Sequence, residues 1–139
     1  MSLCFFSLDS SKIFNELILQ ELIKKGFDGL SESLITLFPY IDEYQNITAS
    51  QLSKKAGYTR QAMHKNVKKL ETLEYITLTQ ENQKEKHIKL SPKGEKLMLI
   101  ANQFIEDTEK ELAKFIGKEE LSLYKETQMK VYKYLQSMQ

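Results

Sequence analysis

The stretch from Ile47 to Leu70 constrains this chain most, because its caps and turn residues fix two consecutive short helices. Thr48, Ala49, Ser50 and Gln51 make a capping-box pattern. The hydroxyl can accept from the amide three residues on, and the side-chain amide can reach back to the cap. Ile47 and Leu52 stand where a hydrophobic staple would place them. Gly57 closes this helix, predicted over Ala49 to Ala56, because glycine enters the left-handed conformation without a Cβ penalty. Only Tyr58 intervenes before Thr59, a second N-cap hydroxyl, which opens a helix predicted over Arg60 to Glu74. Tyr58 and Met63 occupy staple positions again. Two capped helices joined by a tight glycine turn predict a helix-turn-helix.

The second of these helices has two unlike sides. Ala62, Met63, Val67 and Leu70 recur at helical spacing and can face a core. Arg60, Gln61, His64, Lys65 and Lys68 fall together on another face. Long, cationic, hydrogen-bonding side chains suit a surface that meets phosphates and base edges. The plainer reading is a solvated charged face, as most lysine-rich helix faces are. Charge distribution favours the former. The 139 residues carry a net charge of only +1, but Thr48 to Lys96 hold 11 Lys/Arg against 5 Asp/Glu, and the remainder is acidic. A basic middle between acidic ends is a local footprint for a polyanion.

After the basic helix, Ile76 and Leu78 alternate with Thr77 and Thr79, and Ile88 and Leu90 alternate with His87 and Lys89. Two such runs joined by the polar segment Glu81 to Glu85 predict a hairpin, with His87 and Lys89 pointing outward. A helix-turn-helix followed by a hairpin is the winged arrangement, and Lys84 and Lys86 are the cations by which the wing would reach a polyanion. Ser91 and Pro92 then open a long helix, predicted to about Ile116, where Gly117 breaks it. A last helix is predicted from Lys118 to about Ser137.

Ahead of the motif, Ser2 to Lys25 reads as a helix whose broad apolar face includes Phe6, Ile13, Phe14, Leu17 and Ile18. Such a stripe on a terminal helix packs either on its own domain or on a second subunit. Ser31 to Glu43 reads as one further helix, kinked or ended at Pro39, with Leu34, Ile35, Leu37, Phe38 and Ile41 as its core residues. The predicted class is mainly α (α+β). It comprises one domain over 1–139, with a winged helix-turn-helix lobe over 46–97 between helical segments over 1–26 and 98–139.

Several chemistries are disfavoured. One cysteine, Cys4, gives no internal disulfide and no cysteine-rich metal site. No apolar run is long enough to span a bilayer, no membrane partner is indicated, and a cytoplasmic location is expected. His64 and His87 lack a second ligand at helical spacing, so no metal is expected. No glycine-rich phosphate loop and no nucleophile–base pair stand out, so neither an enzyme nor a cofactor is predicted.

The runs Ile47 to Met63, Val67 to Glu71 and Lys89 to Glu95 resemble the MarR family of bacterial transcription regulators. The strongest motifs are Thr59-Arg60-Gln61-Ala62 and Leu90-Ser91-Pro92-Lys93-Gly94. The resemblance implies a homodimer intertwined through its first and last helices. It implies one winged helix-turn-helix per subunit on a pseudo-palindromic operator in double-stranded DNA. It further implies repression, relieved by a small aromatic effector bound between the lobes. The helix from Arg60 would enter the major groove. Many members place an arginine of an Asp-x-Arg pattern in the minor groove, whereas the tip here is Glu81 to Lys84 with no arginine. Lysine lacks the guanidinium fork that arginine offers there.

Within that frame Arg60 and Gln61, with His64, are the candidates for base readout, because Arg pairs with guanine and Gln with adenine in bidentate fashion. Lys65 and Lys68 are candidates for phosphates, and Thr59 for capping with a phosphate contact. Phe27, Phe38, Tyr40 and Tyr44 are candidates to line an effector pocket, or else to pack a core. Two other functions stay open. One is a winged-helix module that binds protein and not DNA. The other is a thiol switch at Cys4, whose Leu3-Cys4-Phe5 context resembles the peroxide-sensing branch of the family. The tyrosines that support the thiol in that branch fall here on Ile18 and Gly29.

Overall fold

Hydroxyl side chains start five of the seven described helices. The computed structural model describes residues 1–80 and 85–139. Residues 1–102 and 103–139 form two compact units, the boundary falling inside the sixth helix.

In the first unit α1 (Leu3–Lys24) begins on Ser2, whose hydroxyl accepts from the Phe5 amide. It ends in a Schellman turn: the Phe27 amide donates to the Leu22 carbonyl, the Gly26 amide to that of Ile23, and Gly26 takes φ +94°. The single helix expected over Ser31 to Glu43 is two, α2 (Glu32–Ile35) and α3 (Phe38–Glu43). Pro39 lies in the first turn of α3, so it starts a helix where it was expected to kink or end one. The first-turn amides have no intrahelical acceptor, so a proline there forfeits no bond.

Strand β1 (Ile47–Thr48) leads into α4 (Ala49–Ala56) through the complete capping box, with Gln51 N to Thr48 Oγ1 at 3.2 Å and Thr48 N to Gln51 Oε1 at 3.0 Å. Gly57 takes φ +76°, and α5 (Arg60–Thr72) starts on Thr59, whose hydroxyl accepts from the Ala62 amide. Strands β2 (Ile76–Thr79) and β3 (His87–Leu90) form the hairpin. β1 adds to its far side, giving an antiparallel sheet in the order β1-β3-β2. Ile88 pairs with Ile47 on one side and Leu78 on the other and is fully buried.

Helix α5 stops at Thr72, two residues short of the expected Glu74. The Tyr75 amide donates to Leu70 and the Glu74 amide to Glu71, another Schellman turn, and Glu74 holds its left-handed position at φ +66°. A non-glycine residue there carries a steric penalty of about 1–2 kcal/mol, part of which glycine returns through its extra freedom when unfolded. Glu74→Gly is therefore expected to stabilise the chain by roughly 0.5–1 kcal/mol. A urea titration should show a higher midpoint at unchanged slope, and a lower midpoint would show that no strain resides there.

The core of this unit gathers Leu22, Leu34, Leu37, Phe38, Ile41, Leu52, Met63, Leu70 and Leu97 around Tyr75, all essentially without exposure. Tyr75 meets Phe38 edge-on, with ring centroids 5.7 Å apart, and donates its hydroxyl to the Asp28 carbonyl at 2.8 Å. Much of α1 stays outside this core. Leu3, Phe6, Leu8, Ile13 and Ile23 are each about half exposed or more.

The long helix α6 (Pro92–Ile116) starts on Ser91, and Gly117 at φ +100° ends it. In the second unit the end of α6 and α7 (Lys118–Ser137) are held by an ion pair between Lys125 and Glu109. No residue of α7 is buried, and Phe115, Leu123, Tyr124, Tyr132 and Leu135 are exposed.

A candidate nucleic-acid interface

Local chemistry holds α5 outward. The Ser53 hydroxyl donates to the Tyr58 carbonyl at 2.6 Å, and the Gly57 and Tyr58 amides both donate to the Ser53 carbonyl, which locks the turn between α4 and α5. Met63, Val67 and Leu70 are the buried side of α5, and Ala62 is half-buried. At about 100° per residue, Gln61, Lys65 and Lys68 lie roughly opposite that side, with Arg60 and His64 flanking them. Thr59, Arg60, Gln61, His64, Lys65 and Lys68 are all exposed. Among the described residues no carboxylate pairs with Arg60, Lys65, Lys68 or Lys86.

Two grooves flank this ridge. The larger, of about 430 Å³, runs between α5, the start of α4 and the hairpin. Val67, Leu78 and Ile88 make its apolar floor, and His64, Lys68 and Lys86 line it beside Glu71 and Glu85. The second, of about 410 Å³, is lined by Ser50, Ser53, Lys54, Arg60 and His64 with Glu85. Tertiary structure thus brings Lys86 to the same groove as His64 and Lys68, although 18 positions separate it from Lys68. Gln61 and Lys65 belong to neither groove and stand on the ridge itself. Lys84 lies outside the described residues.

Ser50 and Lys54 on α4 were not singled out from sequence. They sit four residues apart on one side of a short helix, and that spacing was the available signal. Glu85 is the other addition, a carboxylate lining both grooves.

One sequence expectation changes, and of the two readings for the four aromatics Phe27 and Phe38 follow core packing. His87 does not point freely outward: it is half-buried, with Nδ1 2.7 Å from the Asn46 carbonyl oxygen. A carbonyl only accepts, so Nδ1 carries the proton, and the ring ties β3 to the residue before β1. The four aromatics do not form one lining. Phe27 and Phe38 are buried against Tyr75, Tyr40 is half-buried, and the exposed Tyr44 lies under the Lys55 ammonium, 4.1 Å from its ring centroid. Cys4 is exposed in the first turn of α1. Among the described residues no helix is long and apolar enough to cross a membrane.

Neither a family model nor a curated protein matches this sequence. Solved structures do match the fold. A Staphylococcus aureus MarR in complex with salicylate and kanamycin is similar at TM-score 0.75 and 17% identity, over 96% of this chain and 91% of that one. Streptococcus pneumoniae FabT in complex with DNA is similar at TM-score 0.74 and 20% identity, over 99% of this chain and 100% of that one. MepR, a transcription regulator of the Staphylococcus aureus multidrug efflux pump MepA, is similar at TM-score 0.68 and 18% identity, over 100% of both chains. Among the described residues, seven helices, a three-stranded sheet and an outward basic helix after a capped turn therefore give this chain the winged helix-turn-helix fold of the MarR-type transcription regulators.

Proposed function

We propose that the chain is a homodimeric regulator of transcription that binds a specific, pseudo-palindromic site in double-stranded DNA, represses from it, and is relieved by a small aromatic effector. One observation carries the DNA-binding reading: the row Arg60, Gln61, His64, Lys65 and Lys68 is exposed on a helix whose opposite side is buried. Arg60 and Gln61, with His64, read base edges, because they stand in the first turns of α5, the part that goes deepest into a groove. Lys65 and Lys68 hold phosphates, Thr59 adds one beside its capping bond, and Lys84 and Lys86 extend the footprint along the wing. FabT, of the same fold, is described bound to DNA, and the Staphylococcus aureus MarR in complex with salicylate and kanamycin supports a small-molecule effector.

The test is selection from random duplexes followed by mobility shift across a salt series. One sequence should be enriched, with log affinity falling linearly in log salt at about 0.9 per phosphate neutralised. A protein that enriches nothing and binds without salt dependence would leave a protein-interaction module as the better reading.

Uncovered apolar surface supports the dimer. Large apolar side chains stay exposed along α1 in one unit and along α7 in the other, and exposed apolar surface of this kind marks an interaction site. A second copy of the chain would cover them. Ile13 is 49% exposed in the single chain, and a carboxylate there would be buried unpaired once a second copy covered α1. Ile13→Glu is expected to raise the dimer dissociation constant about 100-fold or more, since an unpaired buried charge costs several kcal/mol. Sedimentation should move from twice 16.3 kDa toward 16.3 kDa. An unchanged dimer would place the contact elsewhere.

A further inference from the structure

Three consecutive carbonyls at the end of α5 are taken up by the first turn of α6. Lys93 Nζ donates to the Leu73 carbonyl at 2.8 Å, the Ser91 hydroxyl to that of Glu74 at 2.6 Å, and the Ser91 amide to that of Tyr75 at 3.0 Å. The same Ser91 hydroxyl accepts from the Gly94 amide, so it caps α6 while it closes α5. Gly94 is buried, and a Cβ on it would overlap the Tyr75 carbonyl oxygen. The Lys93 ammonium also lies 4.2 Å from the Tyr75 ring centroid and 4.0 Å from an Asp28 carboxylate oxygen, and Tyr75 itself donates to the Asp28 carbonyl. One cation thus stands at the negative end of α5 and joins it to α6 and to the segment after α1.

We propose that Lys93 is a positioning residue for DNA recognition, holding the C-terminal end of α5 in the orientation from which Arg60 to Lys68 meet a duplex, without touching the duplex itself. This rests on the DNA-binding reading above. The lever arm decides how much the clamp matters. A 13-residue helix is about 20 Å long, so a tilt of roughly 5° at the clamped end moves the Arg60 end by about 1.7 Å. Functional geometry tolerates about 0.5 Å. Ser91 and Gly94 cannot test this cleanly, because both are buried and changing them disturbs packing. Lys93 is half-buried with its ammonium near the surface, so Met can keep the stem while removing the charge.

The experiment uses the full chain and the duplex that the parent protein selects from a random pool. Lys93→Met and Lys93→Arg are compared with it at a temperature where circular dichroism shows all three folded. Lys93→Met should bind the selected duplex about tenfold more weakly, with affinity for a random duplex and the salt slope both unchanged. Lys93→Arg, which can still donate to the Leu73 carbonyl, should recover most of the loss. Amide exchange along Arg60 to Thr72 should quicken in Lys93→Met alone. Parent-like affinity of Lys93→Met for the selected duplex overturns the proposal and leaves Lys93 an ordinary cap. A drop in salt slope of about 0.9 overturns it too, because it marks a direct phosphate contact. A parent that selects no duplex ends the DNA-binding reading first, and this role with it.

Discussion

Tyr75→Ala is expected to destabilise the chain by about 3–5 kcal/mol, the range for emptying a buried aromatic site. That is a large part of the roughly 5–15 kcal/mol that a domain holds in total. The ring has no exposure, meets Phe38 edge-on and Phe27 at 6.3 Å, and carries the Lys93 ammonium on its face. Neighbours on several elements bound the site, so they cannot all collapse into the void. Tyr75→Phe keeps the ring and loses only the bond to the Asp28 carbonyl, so it should cost about 1 kcal/mol. Urea titrations of the two variants separate packing from hydrogen bonding. Equal losses would show that the hydroxyl, and not the ring, holds this junction.

The same phenol gives a pH signature. Burial, with the nearby Asp28 carboxylate adding to it, raises its pKa above the ordinary 10.0. A raised folded-state pKa means that the native protein keeps the proton longer than the unfolded chain does. Its contribution to stability is complete below pH 10.0 and is lost as pH rises through the folded-state value. Tyr75→Phe should lose less stability than the parent between neutral pH and pH above that point. An identical alkaline loss in both would assign the effect to other groups.

Arg60→Ala is expected to abolish discrimination at one or two base pairs of the selected site, at about 1–3 kcal/mol for each lost bidentate contact. Affinity for other sequences should change much less. Lys68→Ala should weaken binding to all duplexes alike and reduce the salt slope by about 0.9. The contrast has a structural basis, since Arg60 leads the helix while Lys68 sits two turns on, beside Lys86 in the groove next to the wing. Measuring both variants against the selected duplex and a set of single-base changes checks it. If both shifted every sequence equally, the division between reading and holding would be wrong, although DNA binding itself would stand.

What the chain's letters alone determined was whatever is settled within a few residues. The capping box at Thr48, the turn at Gly57, the cap at Thr59, the start at Ser91 and the stop at Gly117 all lie where spacing placed them, because each rests on bonds spanning three to five positions. The exposed cationic row on α5 followed from helical period for the same reason. Pro39 was misread by the same local logic: its missing amide costs a bond within or at the end of a helix but none in the first turn, and the burial of Leu37 and Phe38 accompanies a break ahead of it. Tertiary structure decided the rest, through contacts between distant positions. It placed β1 beside β3, turned His87 onto Asn46 across 41 positions, and packed Phe27 and Phe38 against Tyr75. It gave Lys93 the Leu73 carbonyl and set Lys86 in one groove with His64 and Lys68. Such pairings depend on where the chain returns to itself, and residue spacing carries no record of that.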